Sequence, residues 1–290
     1  LPALPARWLA AAKINLALHV TAQRPDGYHD LESLVVFADL GDAVSVSRAD
    51  TLSLEVSGPF AAHAPGGPEN LGWRAALALD RAAGNGGRGA AIALSKEIPA
   101  GTGFGGGSAD AATVLIALNT LWDLGLSNRE LAGIGAPLGA DIAMCVHSRA
   151  LLAGGVGDAI EAVPGMPPLS MLLVWPGRSV STPAVFRALT ERSNPPLPKL
   201  GADWLRTPAA VVDYLSGTRN DLEPVARSLE PAISDALDAI AATSGCALAR
   251  MSGSGAGCFG IYPDMDQARA AAVEIGCAYP DWWVRATLAS

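Results

Sequence analysis

The segment Pro99-Ala-Gly-Thr-Gly-Phe-Gly-Gly-Gly-Ser-Ala-Asp-Ala-Ala112 constrains what this chain can fold into more than any other. Five of the seven residues from Gly101 to Gly107 are glycine. The segment follows an alternating, strand-like run through Ile92, Leu94 and Lys96. It leads into a run with apolar residues at Val114, Leu115, Leu118, Leu121 and Trp122, the spacing of one helix face. A glycine-rich turn that opens a helix is an anion site. Glycine lets the backbone approach the ligand closely, and the free N–H groups and the helix dipole point at negative charge. The ligand expected here is a polyphosphate. No Gly-Lys-Ser/Thr ends the loop, so it is not a Walker A sequence. No acidic residue follows at the distance a dinucleotide fingerprint needs. A plain glycine linker is disfavoured, because an amphipathic helix follows at once.

Composition narrows the partners. The chain has 290 residues, half of them hydrophobic, which is ample for a buried core in one large or two modest domains. The formal charge is -8 and no Lys/Arg cluster occurs, so no nucleic-acid partner is expected. An anionic substrate must be met locally, by a few lysines and backbone dipoles. No apolar run reaches the roughly 18–20 residues that span a bilayer, so no membrane partner is expected. Leu1-Pro-Ala-Leu-Pro-Ala-Arg7 lacks the basic start and long apolar core of a signal peptide. Cys145, Cys246, Cys258 and Cys277 lack CxxC spacing and read as reduced, mostly buried thiols of a cytoplasmic protein. No zinc site is expected.

Residues 8–60 read as β-rich. Ala12 to His19 alternates, with Ile14, Leu16 and Leu18 on one face and Lys13, Asn15 and Ala17 on the other. Gln23 to His29 reads as a turn, with Pro25-Asp-Gly27 supplying its chemistry. Leu34 to Phe37 and Ala43 to Ser47 read as separate strands, and Thr51 to Ser57 as another. Asn70 to Ala83 reads as a helix. So does Asn128 to Gly135, with Ser127 as its N-cap. Met171 to Trp175 is a buried strand, Ser193 to Pro198 a surface loop, and Pro224 to Ala242 one helix. Strands at Cys246 to Met251, Cys258 to Tyr262 and Trp282 to Thr287 complete the list, with a helix at Gln267 to Ile275. Elements are mixed without strict βα alternation, which predicts an α+β fold.

Three glycine-rich segments, a lysine in an early strand and an aspartate after a glycine turn together resemble the GHMP kinases. The resemblance is carried by Ala12-Lys-Ile-Asn-Leu16, Arg24-Pro-Asp-Gly-Tyr-His29, Glu69-Asn-Leu71 and the 99–112 loop. Leu138-Gly-Ala-Asp141, Gly154-Gly-Val-Gly-Asp158, Asn220-Asp-Leu-Glu223 and Ser252-Gly-Ser-Gly255 follow in the same order. The Asp-Gly-Tyr-His segment beside Lys-Ile-Asn selects the branch whose acceptor is 4-diphosphocytidyl-2-C-methyl-D-erythritol. The resemblance implies ATP-dependent phosphorylation of its 2-hydroxyl, a step of the non-mevalonate route to isoprenoid precursors. It implies a two-domain α+β fold with the active site in the interdomain cleft. Residues 1–160 would form the ATP-binding and catalytic domain, and 161–290 the substrate-binding domain.

Phosphoryl transfer needs positioning, charge neutralisation and help in removing the hydroxyl proton. Asp141 is the candidate base and Lys13 its partner, orienting the hydroxyl and offsetting developing charge. From the residues alone, Lys13 reads equally as a surface lysine on an exposed strand face, and Asp141 as a helix N-cap. By resemblance, Tyr28 and Phe186 sandwich the cytosine and His29 hydrogen-bonds its edge. The bland alternative makes Phe186 core and Tyr28 a turn filler. Thr182 would line the same pocket, and Asn15 and Val156 would contact the erythritol diphosphate. ATP would be held by Pro99, Gly101, Gly103, Gly105, Gly106, Gly107, Ser108 and Ala109, with Asn70, Leu71 and Lys96 on the adenine side. Ser108 at the helix start could meet a phosphate or Mg²⁺, or serve as a plain N-cap, or both. Asp110 is assigned to the helix dipole rather than to the metal, whose protein ligands stay open.

Some positions depart from the family pattern. Ala109 stands where a second serine is common, Phe104 where leucine is usual, and Ile142-Ala-Met144 where valine-proline-phenylalanine is usual. Two rivals remain at this point: a GHMP kinase of homoserine or mevalonate type, and a non-catalytic nucleotide-binding regulator on the same fold. A monomer or weak homodimer is expected.

Overall fold

The computed structural model describes residues 6–84, 86–201 and 206–290. The Leu1 to Pro5 stretch of the signal-peptide reading lies outside the described residues. In chain order the elements begin with β1 (Arg7–Gln23), β2 (His29–Ser47), β3 (Leu52–Ser57), α1 (Leu71–Ala82), β4 (Ala90–Ser95) and α2 (Gly106–Leu121). Then come α3 (Asn128–Gly135), α4 (Ala140–His147), β5 (Leu151–Gly154), β6 (Ala159–Ala162) and β7 (Leu169–Trp175). The rest are α5 (Thr182–Ala188), α6 (Pro208–Ser216), α7 (Glu223–Leu229), α8 (Ala232–Ala242), β8 (Leu248–Met251), β9 (Cys258–Tyr262), α9 (Met265–Ala278) and β10 (Trp283–Ala289).

The chain forms two compact units, each assembled from separated stretches. The first takes residues up to 13, 40–100 and 105–148; the second takes 14–39, 101–104 and 149–290. In the first unit β3 and β4 pair in parallel, from Leu52 opposite Ala90 to Ser57 opposite Ser95. A parallel pair needs a long crossover, and α1 supplies it. The later half of β2 runs antiparallel to β4, with Ala43 opposite Ser95. Helix α2 packs against α1, α3 and α4. Nine of its residues, Ala109 to Leu115 with Ala117 and Leu118, are buried, as suits a helix surrounded by others.

In the second unit β8, β9, β7 and β10 form an antiparallel sheet. Helices α8 and α9 pack against it. Leu172, Val174, Ile240, Tyr262 and Ile275 belong to the core between them. The β5–β6 hairpin pairs with the first half of β2, placing Ser33 opposite Ala153.

Several boundaries differ from expectation, and three of the differences have a clear physical reason. Strand β2 runs unbroken through Asp39-Leu-Gly-Asp42 rather than splitting into two. Gly41 makes this possible, because a Cβ there would lie 2.1 Å from the Ala10 carbonyl oxygen. The long helix expected over 224–242 is two helices. Glu230 precedes Pro231 and is extended (φ -137°, ψ 95°), the conformation proline imposes on its predecessor. Helix α2 begins at Gly106, two residues before Ser108, with Gly105 as its N-cap. Ser108 is therefore not the cap. Helix α3 does carry the expected cap, completed into a capping box by Glu130.

Candidate active site

Lys13 projects from β1 and is buried, against the exposed-face reading. Both faces of β1 are covered from Ala10 to Val20, which is why an alternating pattern there did not signal exposure. Its Nζ lies 3.0 Å from Asp141 Oδ2. Asp141 is the second residue of α4, whose N-cap is Gly139, so the aspartate is not the cap. It sits in the first helical turn, where the dipole favours a carboxylate. Its side chain stays 42% exposed. The stem of Lys13 lies along Gly105: a Cβ at that position would come within 3.1 Å of Lys13 Cβ and 3.3 Å of Cε. Gly105 also has φ +69°, so the position suits glycine on both counts. The first unit thus joins Lys13, Asp141 and the N-terminus of α2. Gly106, Gly107 and Ser108 have no earlier helical carbonyl for their N–H groups, and Ala109 N is the first to bond back, to Gly105 O at 2.8 Å. Ala109 is buried, so it contributes packing to the loop.

The residues expected on the adenine side are more heavily committed. Asn70 caps α1, accepting from Gly72 N at 2.8 Å and donating to Pro65 O at 2.8 Å; Leu71 is the first residue of that helix. Lys96 is buried with its ammonium between Asp42 and Asp110; the Asp110 Oδ2 contact is 2.6 Å. Asp42 Oδ1 also accepts Glu97 N at 2.6 Å and Ile98 N at 2.9 Å. Burial works against the Lys96 charge, yet the neighbouring Asp110 and Asp42 raise its pKa. Burial is the main reason Asp110 is pushed up to about 7. Its Oδ1 is buried without a hydrogen-bond partner. Asp110 lies beyond the first turn of α2, so the helix-dipole assignment gives way to an ion-pair role.

In the second unit His29 stacks on Phe186, ring centroids 5.2 Å apart at 28°. Tyr28 is 67% exposed and stacks on neither. His29 Nε2 is buried without a partner. Burial, then the nearby Arg192 charge, lower the His29 pKa. Thr182 opens α5 and its Oγ1 lies 2.7 Å from Ser254 Oγ. Val156 is half-buried in the β5–β6 turn, which Leu31 N ties to β2 through Gly155 O at 2.7 Å. Asn15 donates through Nδ2 to Ser33 Oγ at 2.7 Å. Pro99 is buried and Gly101 exposed. Gly103 has φ +75°, and a Cβ there would sit 2.8 Å from both Ser252 O and Gly255 O. Phe104 is fully buried against Trp283, centroids 6.1 Å apart. Among the described residues, no group of three or more His, Cys, Asp or Glu side chains is placed to hold a metal ion.

The GHMP kinases N terminal domain matches residues 70–149 and the GHMP kinases C terminal domain matches 209–281. The 4-diphosphocytidyl-2-C-methyl-D-erythritol kinase of Cereibacter sphaeroides is 48% identical over 276 residues, 95% of this chain and 96% of its own. That of Brucella melitensis is 49% identical over 279 residues, covering 95% and 92%. This chain belongs to the 4-diphosphocytidyl-2-C-methyl-D-erythritol kinase family of GHMP kinases. A crystal structure of 4-(cytidine 5'-diphospho)-2C-methyl-D-erythritol kinase superposes with a TM-score of 0.80 at 35% identity, covering 98% of this chain and 100% of the other. The fold is therefore the two-domain α+β fold of the GHMP kinases, and the protein is a small-molecule kinase that uses ATP.

For a GHMP kinase, the match over 70–149 begins at the Asn70 cap and ends just past α4, so it takes in the glycine loop and Asp141. Sequence reasoning missed Asp42, Ser33 and Ser252 as neighbours of the candidate residues. Asp42 had one available signal: it adjoins the strand-like run Ala43 to Ser47, and a carboxylate carried into a core must find a partner. Nothing in the sequence pointed Ser252 to Asn15.

Proposed function

We propose that this chain transfers the γ-phosphoryl group of ATP to the 2-hydroxyl of 4-diphosphocytidyl-2-C-methyl-D-erythritol, in the non-mevalonate route to isoprenoid precursors. The observation that carries the reading is the 3.0 Å Lys13–Asp141 pair, whose lysine stem lies against the N-cap glycine of α2. The N-terminus of α2 and the glycine loop hold the polyphosphate. The substrate hydroxyl oxygen attacks the γ-phosphorus, the bond to ADP breaks, and Asp141 takes the hydroxyl proton. Lys13 holds Asp141 in place and offsets charge on the transferring group.

His29 and Phe186 support a pyrimidine acceptor. A histidine with a lowered pKa is neutral at pH 7, so its ring offers one donor and one acceptor to a base edge. Phe186 supplies the flat apolar surface, with Tyr28 closing over the base; Thr182, Asn15 and Val156 line the rest. On the donor side we assign Asn70, Leu71 and Lys96 to the adenine side, with Lys96 acting through the loop backbone that its partner Asp42 holds. Pro99, Gly101, Gly103 and Gly105 to Ala109 shape the phosphate loop. Mg²⁺ bound with ATP would be held largely by the phosphates, with the Ser108 hydroxyl as the candidate protein contact, and would offset charge on the transferring group. The family matches fall on either side of residue 160, which supports ATP-binding work in 1–160 and acceptor binding in 161–290. No helix among the described residues is long and apolar enough to cross a membrane. We place the enzyme in the cytoplasm, as a monomer or weak homodimer without a nucleic-acid partner.

The test is ADP release by the purified chain with ATP and the cytidyl substrate, against uridyl, homoserine and mevalonate controls. Turnover of the cytidyl substrate above all controls is expected. Faster turnover of homoserine or mevalonate would leave only the superfamily assignment standing.

A further inference from the structure

The motif Asn220-Asp-Leu-Glu223 takes no part in the chemistry above, yet each of its polar side chains holds a distant backbone. Asp221 Oδ2 accepts Val20 N of β1 at 2.7 Å. Glu223 Oε2 accepts Met251 N at 2.9 Å. Asn220 is buried and spends its amide on two carbonyls, Met251 O and Gly253 O, both at 2.8 Å; its Oδ1 accepts Leu222 N at 3.0 Å. The residue between the two clamped carbonyls is Ser252, which is fully buried. Its backbone is fixed as well: Ser252 N donates to Gly257 O at 2.9 Å, and Ser252 O accepts Gly255 N at 3.0 Å.

A serine hydroxyl held this rigidly has one defined job. Ser252 Oγ accepts the backbone N–H of Asn15 at 3.1 Å and donates to Gly103 O at 3.4 Å. Asn15 is two residues past Lys13 on the same strand, and strand residues two apart share a face. Gly103 is two residues before Gly105, the N-cap of α2. The hydroxyl therefore ties β1 just beyond the lysine to the glycine loop just before its helix. A slip at this point passes along stiff backbone to Lys13 on one side and to the phosphate loop on the other.

We infer that Ser252, clamped by Asn220, is a positioning residue that sets the register of the acceptor-side strand against the phosphate-donor loop through its hydroxyl bonds to Asn15 N and Gly103 O. The inference rests on the phosphotransfer reading of the same site. A positioning role acts on alignment in the transition state more than on binding of either substrate, so kcat and KM separate.

The experiment measures kcat, both KM values and Tm for wild type, Ser252→Ala, Ser252→Thr, Asn220→Asp and the Ser252→Ala/Asn220→Asp double variant, all as the full chain. Wild type must turn over the cytidyl substrate; if it does not, the proposed function fails and the inference with it. Given an active wild type, Ser252→Ala should lose roughly ten- to a hundredfold in kcat, with both KM values within about threefold. Ser252→Thr keeps the hydroxyl and should stay within about threefold of wild-type kcat. Asn220→Asp turns a donor into an acceptor facing two carbonyls and should lower kcat and Tm together. The double variant should lose no more kcat than the worse single one, because both changes act through one hydroxyl. A lowered Tm with unchanged kcat in folded Ser252→Ala would overturn the inference. So would losses that multiply in the double variant.

Discussion

Lys13 and Lys96 are 4% and 5% exposed, and each sits against carboxylate oxygen. Their surroundings differ in what is left open. Lys13 meets Asp141, which keeps 42% of its side chain in solvent and stands at the start of a helix. Lys96 meets Asp42 and Asp110, whose side chains are 0% and 5% exposed. The first pair keeps its carboxylate reachable from solvent. The second cluster carries one more negative group than positive and is closed to solvent. It braces the start of the glycine loop, since Asp42 also holds the backbone of Glu97 and Ile98. Burial of a lysine thus says little about its role; exposure of its partner says more.

The strongest way to break this comparison is to exchange the consequences of losing each group. Asp141→Asn should cut kcat by roughly 10²–10⁴, as expected for a lost general base, with cytidyl-substrate affinity within severalfold of wild type. Its Tm should fall less than on loss of a partner in a fully closed cluster, because Asp141 is 42% exposed and water reaches the pair. Steady-state kinetics with a melting curve on the same preparation reads both. Near-wild-type kcat would remove Asp141 from the base role.

Lys96→Met should do the reverse. It leaves two carboxylates buried with no cation, a change that costs about 3–5 kcal/mol in comparable buried pairs. Chemical denaturation would read this as a lowered midpoint. Lys13→Met should cost far less stability and far more turnover. If the two methionine variants lose the same stability, the distinction between the closed brace and the open pair falls.

The brace was the part of the molecule least readable in the sequence. Asp42, Lys96 and Asp110 are brought together from separate stretches, and no local pattern marks residues 54 apart as neighbours. Local chemistry was readable where it was self-contained. Ser127 and Glu130 form the α3 capping box within four residues, and strand β9 starts and ends where its apolar run does. The helix over 224–242 was misjudged because the periodicity continues past Pro231 while the backbone at Glu230 does not. The candidate residues Lys13, Asp141, His29 and Phe186 were reached through family resemblance. That route gave no warning that His29 would stack on Phe186. Such a contact depends on β2 and α5, which lie far apart in the chain.

The His29–Phe186 stack yields a smaller and more selective effect. Phe186→Ala should raise KM for the cytidyl substrate about tenfold, since stacking of one base on an aromatic ring contributes on the order of 1–3 kcal/mol. The KM for ATP should stay close to wild type. Equal changes in both KM values would show that Phe186 acts on the fold rather than on the base.

The smallest effect comes from the surplus charge of the brace, and its sign is fixed by Asp110. In the folded chain its pKa is raised from an ordinary 3.8 to about 7, first by burial and then by the Asp42 charge, against the pull of Lys96. Between these two values the folded protein holds a proton that the unfolded chain has released. Stability therefore falls as pH rises through that window, and this contribution levels off above the folded value. Asp110→Asn keeps the shape and an oxygen for Lys96 but removes the titration. Wild-type Tm should drop more steeply than that of the variant between pH 5 and 8, and at pH 8 the variant should melt at the higher temperature. At pH 5 the two should come together, because the wild-type carboxyl is then neutral in the fold. Melting curves across that range decide it. Parallel curves would mean that Asp110 stays ionised beside Lys96 throughout, and that the closed cluster tolerates its extra negative charge as readily as the open Lys13–Asp141 pair tolerates solvent.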